Sequence, residues 1–126
     1  MNTYAGNVPI LAQVNPVSVA AAGTQVTGWV DVSQAARIRT LVQCGAGGGT
    51  PAITWQQGNT SSGGGAKSLS WGAGSYASNR IDVENTTESV DLINGFRWVQ
   101  GTVTMTGGTG TITGTTVFAE DPTSSS

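Results

Sequence analysis

One alternating stretch decides the fold class: TQVTGWVDVS, residues 24–33. Val26, Val30 and Val32 recur at even positions, and polar or aromatic residues lie between them. Successive side chains of a β-strand point to opposite faces, so this alternation is typical of an extended, half-buried strand. We therefore predict a strand here, with the valines facing the core.

The same alternation recurs along the chain in about eight short segments, which Gly, Pro and Asn residues separate. Besides residues 24–33, the predicted strands are 8–14, 37–44, 52–57, 67–71, 80–84, 88–93, 96–106 and 111–120. We predict that Ile38, Val42 and Ile53 point into the core and Arg39 points outward, and that Asn94-Gly95 forms a tight turn. The composition agrees, because 13 Val, 6 Ile and 18 Thr suit a pleated surface, whereas Leu, Lys and Met are few. These features predict an all-β fold: an antiparallel β-sandwich, jelly-roll-like, with about eight short strands.

A single domain is expected from a chain of 126 residues. Within it we predict an extended N-terminal arm over residues 1–12, a β-sandwich domain over residues 13–120 and a flexible C-terminal tail over residues 121–126. The arm is apolar and alternating, whereas the tail is an Asp-Pro pair followed by Thr and Ser.

Charge and residue types argue against several function classes. The net charge is -2, with only five basic residues, so the clustered Lys and Arg that nucleic acid requires are not expected. No stretch reaches the roughly 20 apolar residues of a membrane span, and the N-terminus lacks a basic signal-peptide start. We therefore predict no membrane partner and synthesis in the cytoplasm.

Catalytic chemistry is also not indicated. The chain has no His, the usual general base, and one Cys, Cys44, which we predict to be a buried thiol at a strand end. Asp82 and Glu84 point to one side of a predicted strand, where they form either its solvated face or a cation or acid–base pair; we favour the solvated face. The sequence thus predicts no enzyme, no metal site and no cofactor.

Threonines form two Thr-x-Thr-x-Thr runs, over residues 102–106 and 111–115, on either side of a Gly-rich turn. We favour two hairpin faces that Thr pairs stabilise. The alternative is a flat threonine ladder that binds ice.

The four tryptophans carry further information. Trp55 and Trp98 are in phase with neighbouring apolar residues and are predicted to lie in the core. Trp29 is out of phase with the valines around it, which indicates either the opposite sheet face or a subunit contact. Trp71 and Tyr76 lie in a Gly/Ser-rich segment, where they serve either as interface anchors or in local packing.

Several segments resemble the small β-rich virion proteins of tailed bacteriophages. These segments are 8–12, 20–24, 29–32, 37–42, 53–57, 62–69 and 96–104. The resemblance implies a capsid decoration, or cement, protein with a jelly-roll fold, located on the capsid exterior of the virion. It also implies the major capsid protein as partner, binding between capsomers, and self-association as a dimer or trimer.

Under this interpretation the N-terminal arm adds a strand to the sheet edge of a neighbour. The predicted partner contacts are Tyr4, Val8, Ile10, Leu11, Trp29, Trp71 and Tyr76. The alternative is a phage tail, baseplate or fibre module, including one that binds carbohydrate by stacking on Trp29 or Trp71. Head and tail locations both remain open at this point.

Overall fold

The computed structural model describes residues 10–14, 17–19, 23–45, 49–72 and 74–122, and these form an all-β fold. The strands build two antiparallel sheets. Apolar side chains from both sheets pack into one core between them. The predicted all-β antiparallel sandwich is therefore confirmed, with eleven strands in the described ranges, of which several are long.

The first sheet contains the two longest strands. Its members are β1 (Ile10–Val14), β2 (Val17–Val19), β5 (Ala35–Cys44), β8 (Tyr76–Ala77), β9 (Arg80–Thr86) and β11 (Gly110–Pro122). The strand order is β1-β11-β5-β9-β8, and β2 also pairs with β11. Since β1 and β2 pair with successive parts of β11, they share one edge of the sheet, and β8 forms the other.

The second sheet is centred on one long antiparallel pair of strands that are distant in the sequence. Its members are β3 (Thr24–Val26), β4 (Val30–Asp31), β6 (Thr50–Gly58), β7 (Lys67–Leu69) and β10 (Trp98–Thr106). The order is β3-β10-β6-β7, and β4 also pairs with β10. Strands β10 and β6 run in unbroken register from the Trp98–Gly58 pair to the Thr106–Thr50 pair.

Branched aliphatic side chains fill the space between the sheets, as the alternation predicted. Ile38 and Val42 of β5 and Ile53 of β6 are almost completely buried. The core also holds an aromatic pair, in which Trp71 meets Trp55 edge-on with ring centroids 4.9 Å apart. The core positions predicted for Ile38, Val42, Ile53 and Trp55 are confirmed.

A β-bulge changes the face on which β1 presents its first residue. The register of β1 against β11 shifts between Ile10 and Ala12, so Leu11 is the extra residue. Ala12 lies opposite buried Val117, but Ile10 lies opposite Phe118 and is 60% exposed. The alternation over residues 8–14 predicts that Ile10 and Ala12 share one face of the strand. That prediction is wrong, because one inserted residue inverts the alternation.

The stretch that decided the fold class is interrupted. Gly28 adopts a φ of 84°, a left-handed conformation that ends β3 before β4 begins. Val30 and Val32 are buried as predicted, whereas Val26 is 43% exposed, because the break at Gly28 changes the phase. The single strand predicted over residues 24–33 is wrong in this respect.

Residues 88–93 do not form the predicted strand. Two 3-10 turns, Thr87–Ser89 and Leu92–Asn94, occupy this segment. The Asp91 amide donates to the side-chain oxygen of Gln57 at 2.8 Å, and Gly95 closes the second turn with a φ of 83°. The tight turn predicted at Asn94-Gly95 is confirmed.

The two threonine runs belong to different sheets, so the predicted hairpin is wrong. Strand β10 pairs with β3, β4 and β6, whereas β11 pairs with β1, β2 and β5. The Gly-rich turn between them carries the chain across the sandwich. As a result Thr102 and Thr104 lie on the outer face of one sheet, while Thr115 of the other sheet is buried in the core.

Candidate functional site

The outer face of the first sheet carries a small apolar patch, which we call the Ile10 patch: Ile10 and Phe118. The two residues are direct cross-strand partners, Ile10 on the edge strand and Phe118 on β11. Phe118 is half-buried, and the guanidinium carbon of Arg39 lies 5.6 Å from its ring centroid. An apolar patch with charged neighbours is typical of a protein contact surface.

Two ion pairs border this patch on the same face. Arg39 donates two hydrogen bonds to Asp82, at 2.9 and 2.6 Å, and Arg37 lies 3.4 Å from Glu84. The Arg39 hydrogen bonds lower the pKa of Asp82 and outweigh the opposing effect of burial. Asp82 and Glu84 thus form the solvated face of a strand, as predicted.

Strand β1 exposes one of its edges. Within the described residues its backbone pairs with β11 alone, so its other edge is a row of unpaired N–H and C=O groups. Ile10 begins this strand, and the predicted contacts Tyr4 and Val8 precede it, outside the described residues. Leu11, the bulged residue, is half-buried and packs against the core.

The outer face of the second sheet is neutral. We call it the Thr/Gln face; its outward side chains are Thr24, Val26, Thr50, Ala52, Thr54, Gln56, Ser68, Gln100, Thr102, Thr104 and Thr106. They stand in register across β3, β10, β6 and β7, with Gln100 opposite Gln56 and Thr102 opposite Thr54. The cross-strand pairing of strands therefore brings together polar groups that are far apart in the sequence.

Trp98 lies at one end of this face. It pairs in register with Gly58 on β6 and Asp31 on β4, and it is half-buried. Val99 takes the inward position next to it and is fully buried. The predicted core position of Trp98 is therefore wrong, because the strand's phase is set by Val99 and Val103.

The Trp29 indole packs against Gly58, the cross-strand partner of Trp98 on β6. A methyl group built on Gly63 would lie 2.4 Å from the Trp29 ring, and one on Gly58 would lie 3.2 Å from it. Both glycines thus make room for the indole, which is half-buried. Trp29 lies between β3 and β4 and packs at Gly58 on the outer face of the second sheet, which is one of the two positions predicted for it.

An ion pair stands next to Trp98. Arg97 donates to Asp31, and its guanidinium carbon is 6.0 Å from the Trp98 ring centroid. The Asp31 carboxylate also accepts bonds from the Ser33 amide at 2.9 Å and hydroxyl at 2.8 Å. Burial acts to raise the pKa of Asp31, but these hydrogen bonds outweigh it and hold the pKa below its ordinary value.

The remaining predicted contacts lie within the fold. Trp71 is 8% exposed, and its indole N–H donates to the Thr86 carbonyl at 2.9 Å, so local packing accounts for it. Tyr76 is half-buried on the edge strand β8, where its hydroxyl contacts Asn79. Cys44 ends β5 as predicted, but it is half-buried and not fully buried; partial burial raises the pKa of its thiol.

Sequence reasoning missed one exposed apolar feature. Leu92 and Ile93 form the second 3-10 turn, and Ile93 is 98% exposed. Asp91 anchors the turn, since its carboxylate accepts bonds from Lys67 at 2.7 Å and from Asn94 at 3.0 Å. Because the sequence predicted a strand in this segment, the exposure of these two side chains was not predicted, although the turn at Asn94-Gly95 was.

In the described part of the chain there is no enclosed cavity and no group of three metal-ligating side chains. Nor do those ranges contain a helix with the length and apolar character to cross a membrane. No protein-family model matches the sequence, and no curated protein matches it.

Proposed function

We propose that this chain is a non-enzymatic structural virion protein of the decoration, or cement, type. It binds the outer surface of a bacteriophage capsid between capsomers, and many copies stabilise the head. Its main partner is the major capsid protein, and it self-associates as a dimer or trimer.

The open edge of β1, together with the Ile10 patch, is the observation that supports this proposal best. An unpaired strand edge accepts a further strand through backbone hydrogen bonds, the interaction known as β-augmentation. Ile10 sits on that edge with 60% of its side chain exposed, so an added strand has an apolar side chain to cover. Backbone pairing and apolar burial would therefore act at one place.

The charge arrangement around the patch favours a protein partner. Arg39 pairs with Asp82 and Arg37 pairs with Glu84, so these charged groups of the polar rim have partners of opposite sign within the chain. A rim of this kind gives specificity without a large penalty for desolvating unpaired ions.

A binding experiment on capsids tests the proposal. The purified full chain is titrated onto expanded phage heads that have been stripped of accessory proteins and carry the major capsid protein of the same genome. Bound copies are counted by cosedimentation and located by electron cryomicroscopy. We expect saturable binding at capsomer junctions, and the absence of bound copies at saturating protein would overturn the proposal; copies on tails instead would favour the tail or baseplate alternative.

Two matched isoleucine variants test the surface. Burying an isoleucine contributes about 1.5–3 kcal/mol, so Ile10→Asp is expected to weaken head binding by roughly 10- to 100-fold. Ile93→Asp is the control, because Ile93 is even more exposed but lies on a different part of the surface. Equal losses of head-binding affinity in both variants would exclude the β1 edge as the capsid contact.

A further inference from the structure

We propose that the Trp98 end of the Thr/Gln face is a binding site for neutral oligosaccharides. The site comprises Trp98, Gln100 and Gln56, with Trp29 and the Asp31–Arg97 pair beside it. This inference concerns the opposite sheet from the Ile10 patch and does not depend on capsid binding.

The geometry brings an aromatic ring and two amides within reach of one sugar. Gln100 follows Trp98 by two residues on β10, which corresponds to about 7 Å along a strand. Gln56 is the direct partner of Gln100 on β6, at a strand separation of about 4.8 Å. A sugar ring lying on Trp98 would thus place its hydroxyls near both amides, and each amide can donate and accept hydrogen bonds.

Both amides are available to a ligand. Within the ranges that the structure describes, neither the Gln56 nor the Gln100 side chain takes part in a hydrogen bond. The neighbouring Gln57 differs, because it points inward, donates to the Ser68 carbonyl at 3.0 Å and accepts from the Asp91 amide at 2.8 Å. The sheet therefore uses one glutamine for its own stability and presents the other two outward.

Trp98 has the properties of a stacking platform. Its indole is half-buried, so its base is fixed while part of the ring stays accessible. Its partner on β6 is Gly58, which has no side chain, and the Trp29 indole packs over this glycine. The Trp29 indole, which packs closely on Gly58 and Gly63, therefore lies beside the cross-strand partner of Trp98.

The charge of the surface selects the ligand class. Beyond the glutamines the face continues through Thr102 and Thr54 with uncharged side chains. Asp31 and Arg97 beside Trp98 neutralise each other, while the carboxylate and guanidinium keep hydrogen-bonding capacity for hydroxyl groups. A neutral polyhydroxyl chain matches this surface, whereas a phosphate-bearing or strongly charged polymer finds no opposite charge.

Binding of defined oligosaccharides tests the proposal. The full chain is exposed to a panel of neutral gluco-, galacto- and manno-oligosaccharides, with sialylated and sulfated oligosaccharides as charged counterparts. Affinities are measured by calorimetry, and contacts are mapped by NMR on the wild-type protein. We expect at least one neutral oligosaccharide to bind and to shift the Trp98 indole and the Gln56 and Gln100 amide signals.

Variants assign the binding to this face. Trp98→Ala is expected to lower affinity at least tenfold and Gln100→Ala several-fold, while Phe118→Ala, an exposed-face aromatic on the other sheet, leaves affinity unchanged. If Trp98→Ala does not fold, the affinity of Trp98→Phe and the NMR contact map of the wild-type protein test whether the ligand binds at this face. Lack of binding by every neutral oligosaccharide, a preference for the charged panel, or signal changes confined to the first sheet would each overturn the proposal. Head binding tested with Ile10→Asp is a separate readout, so the two proposals fail independently.

Discussion

Replacement of Gly63 by alanine tests how Trp29 is held. Gly63 has a φ of 85°, and a methyl group there would lie 2.4 Å from two ring carbons of Trp29. Gly95 offers a matched control, because its φ is 83° and nothing lies within 4 Å of its added methyl group. The two substitutions share the backbone strain and differ in the contact with Trp29.

The expected magnitude follows from these two effects. An alanine in the left-handed region costs about 1–2 kcal/mol, which applies to both variants. Carbon atoms pack at about 3.5–4.0 Å, so at Gly63 the Trp29 ring must move by roughly 1 Å or more. Losing about half of the contact area of a half-buried tryptophan costs a further 1–2 kcal/mol or so. We expect Gly63→Ala to lower the free energy of unfolding by about 2–4 kcal/mol and Gly95→Ala by about 1–2 kcal/mol.

Urea denaturation measures the difference. With a slope of about 2 kcal/mol/M, the two variants should differ in midpoint by roughly 0.5–1 M. The Trp29 indole N–H signal should also shift in Gly63→Ala and stay in place in Gly95→Ala. Equal midpoints together with an unmoved Trp29 signal would refute the packing of Trp29 on Gly63.

Two further predictions concern buried hydroxyls and acid stability. The Thr40 and Thr115 hydroxyls are buried and have no hydrogen-bond partner among the described residues. Thr40→Val or Thr115→Val should therefore raise the free energy of unfolding by about 1 kcal/mol. A lower free energy of unfolding in urea denaturation of either variant would contradict this prediction. Because Arg39 holds the pKa of Asp82 below its ordinary value of 3.8, the Asp82 carboxylate stabilises the fold above that pH, and this contribution is lost as the pH falls through the lowered pKa. Arg39→Gln should therefore flatten the decline of stability below about pH 4, in denaturation series at successive pH values; an unchanged decline would exclude the ion pair as its source.

The candidate surfaces show where sequence reasoning succeeds and where it stops. Alternation correctly assigned Ile38 and Val42 to the core and Arg39 to the solvated side, because period-two burial is a local property. It placed Trp98 in the core, since an aromatic residue near other apolar residues fits either face of a strand. It also placed Ile10 and Ala12 on one face of a strand, and the bulge at Leu11 puts them on opposite faces.

A local sequence pattern also could not predict which strands pair with each other. The threonine runs in β10 and β11 predicted a hairpin, because strands that are consecutive in sequence usually pair. Each strand instead pairs with strands distant in the chain, so Gln100 meets Gln56 rather than a residue across the turn. The Thr/Gln face exists only once that register is known.

By itself, the sequence determined that this protein is all-β, that its branched aliphatic residues form the core, and that its charged residues lie outside. These properties follow from side-chain shape, hydration and alternation, which act within a few residues. Tertiary structure alone decided that Ile10 and Ala12 lie on opposite faces of β1, that Trp98 faces outward and that the glutamines of two strands stand side by side. The physical reason is that a single bulge or kink inverts every later side chain of a strand, and non-local hydrogen bonding between strands selects which phase and which partner the chain adopts.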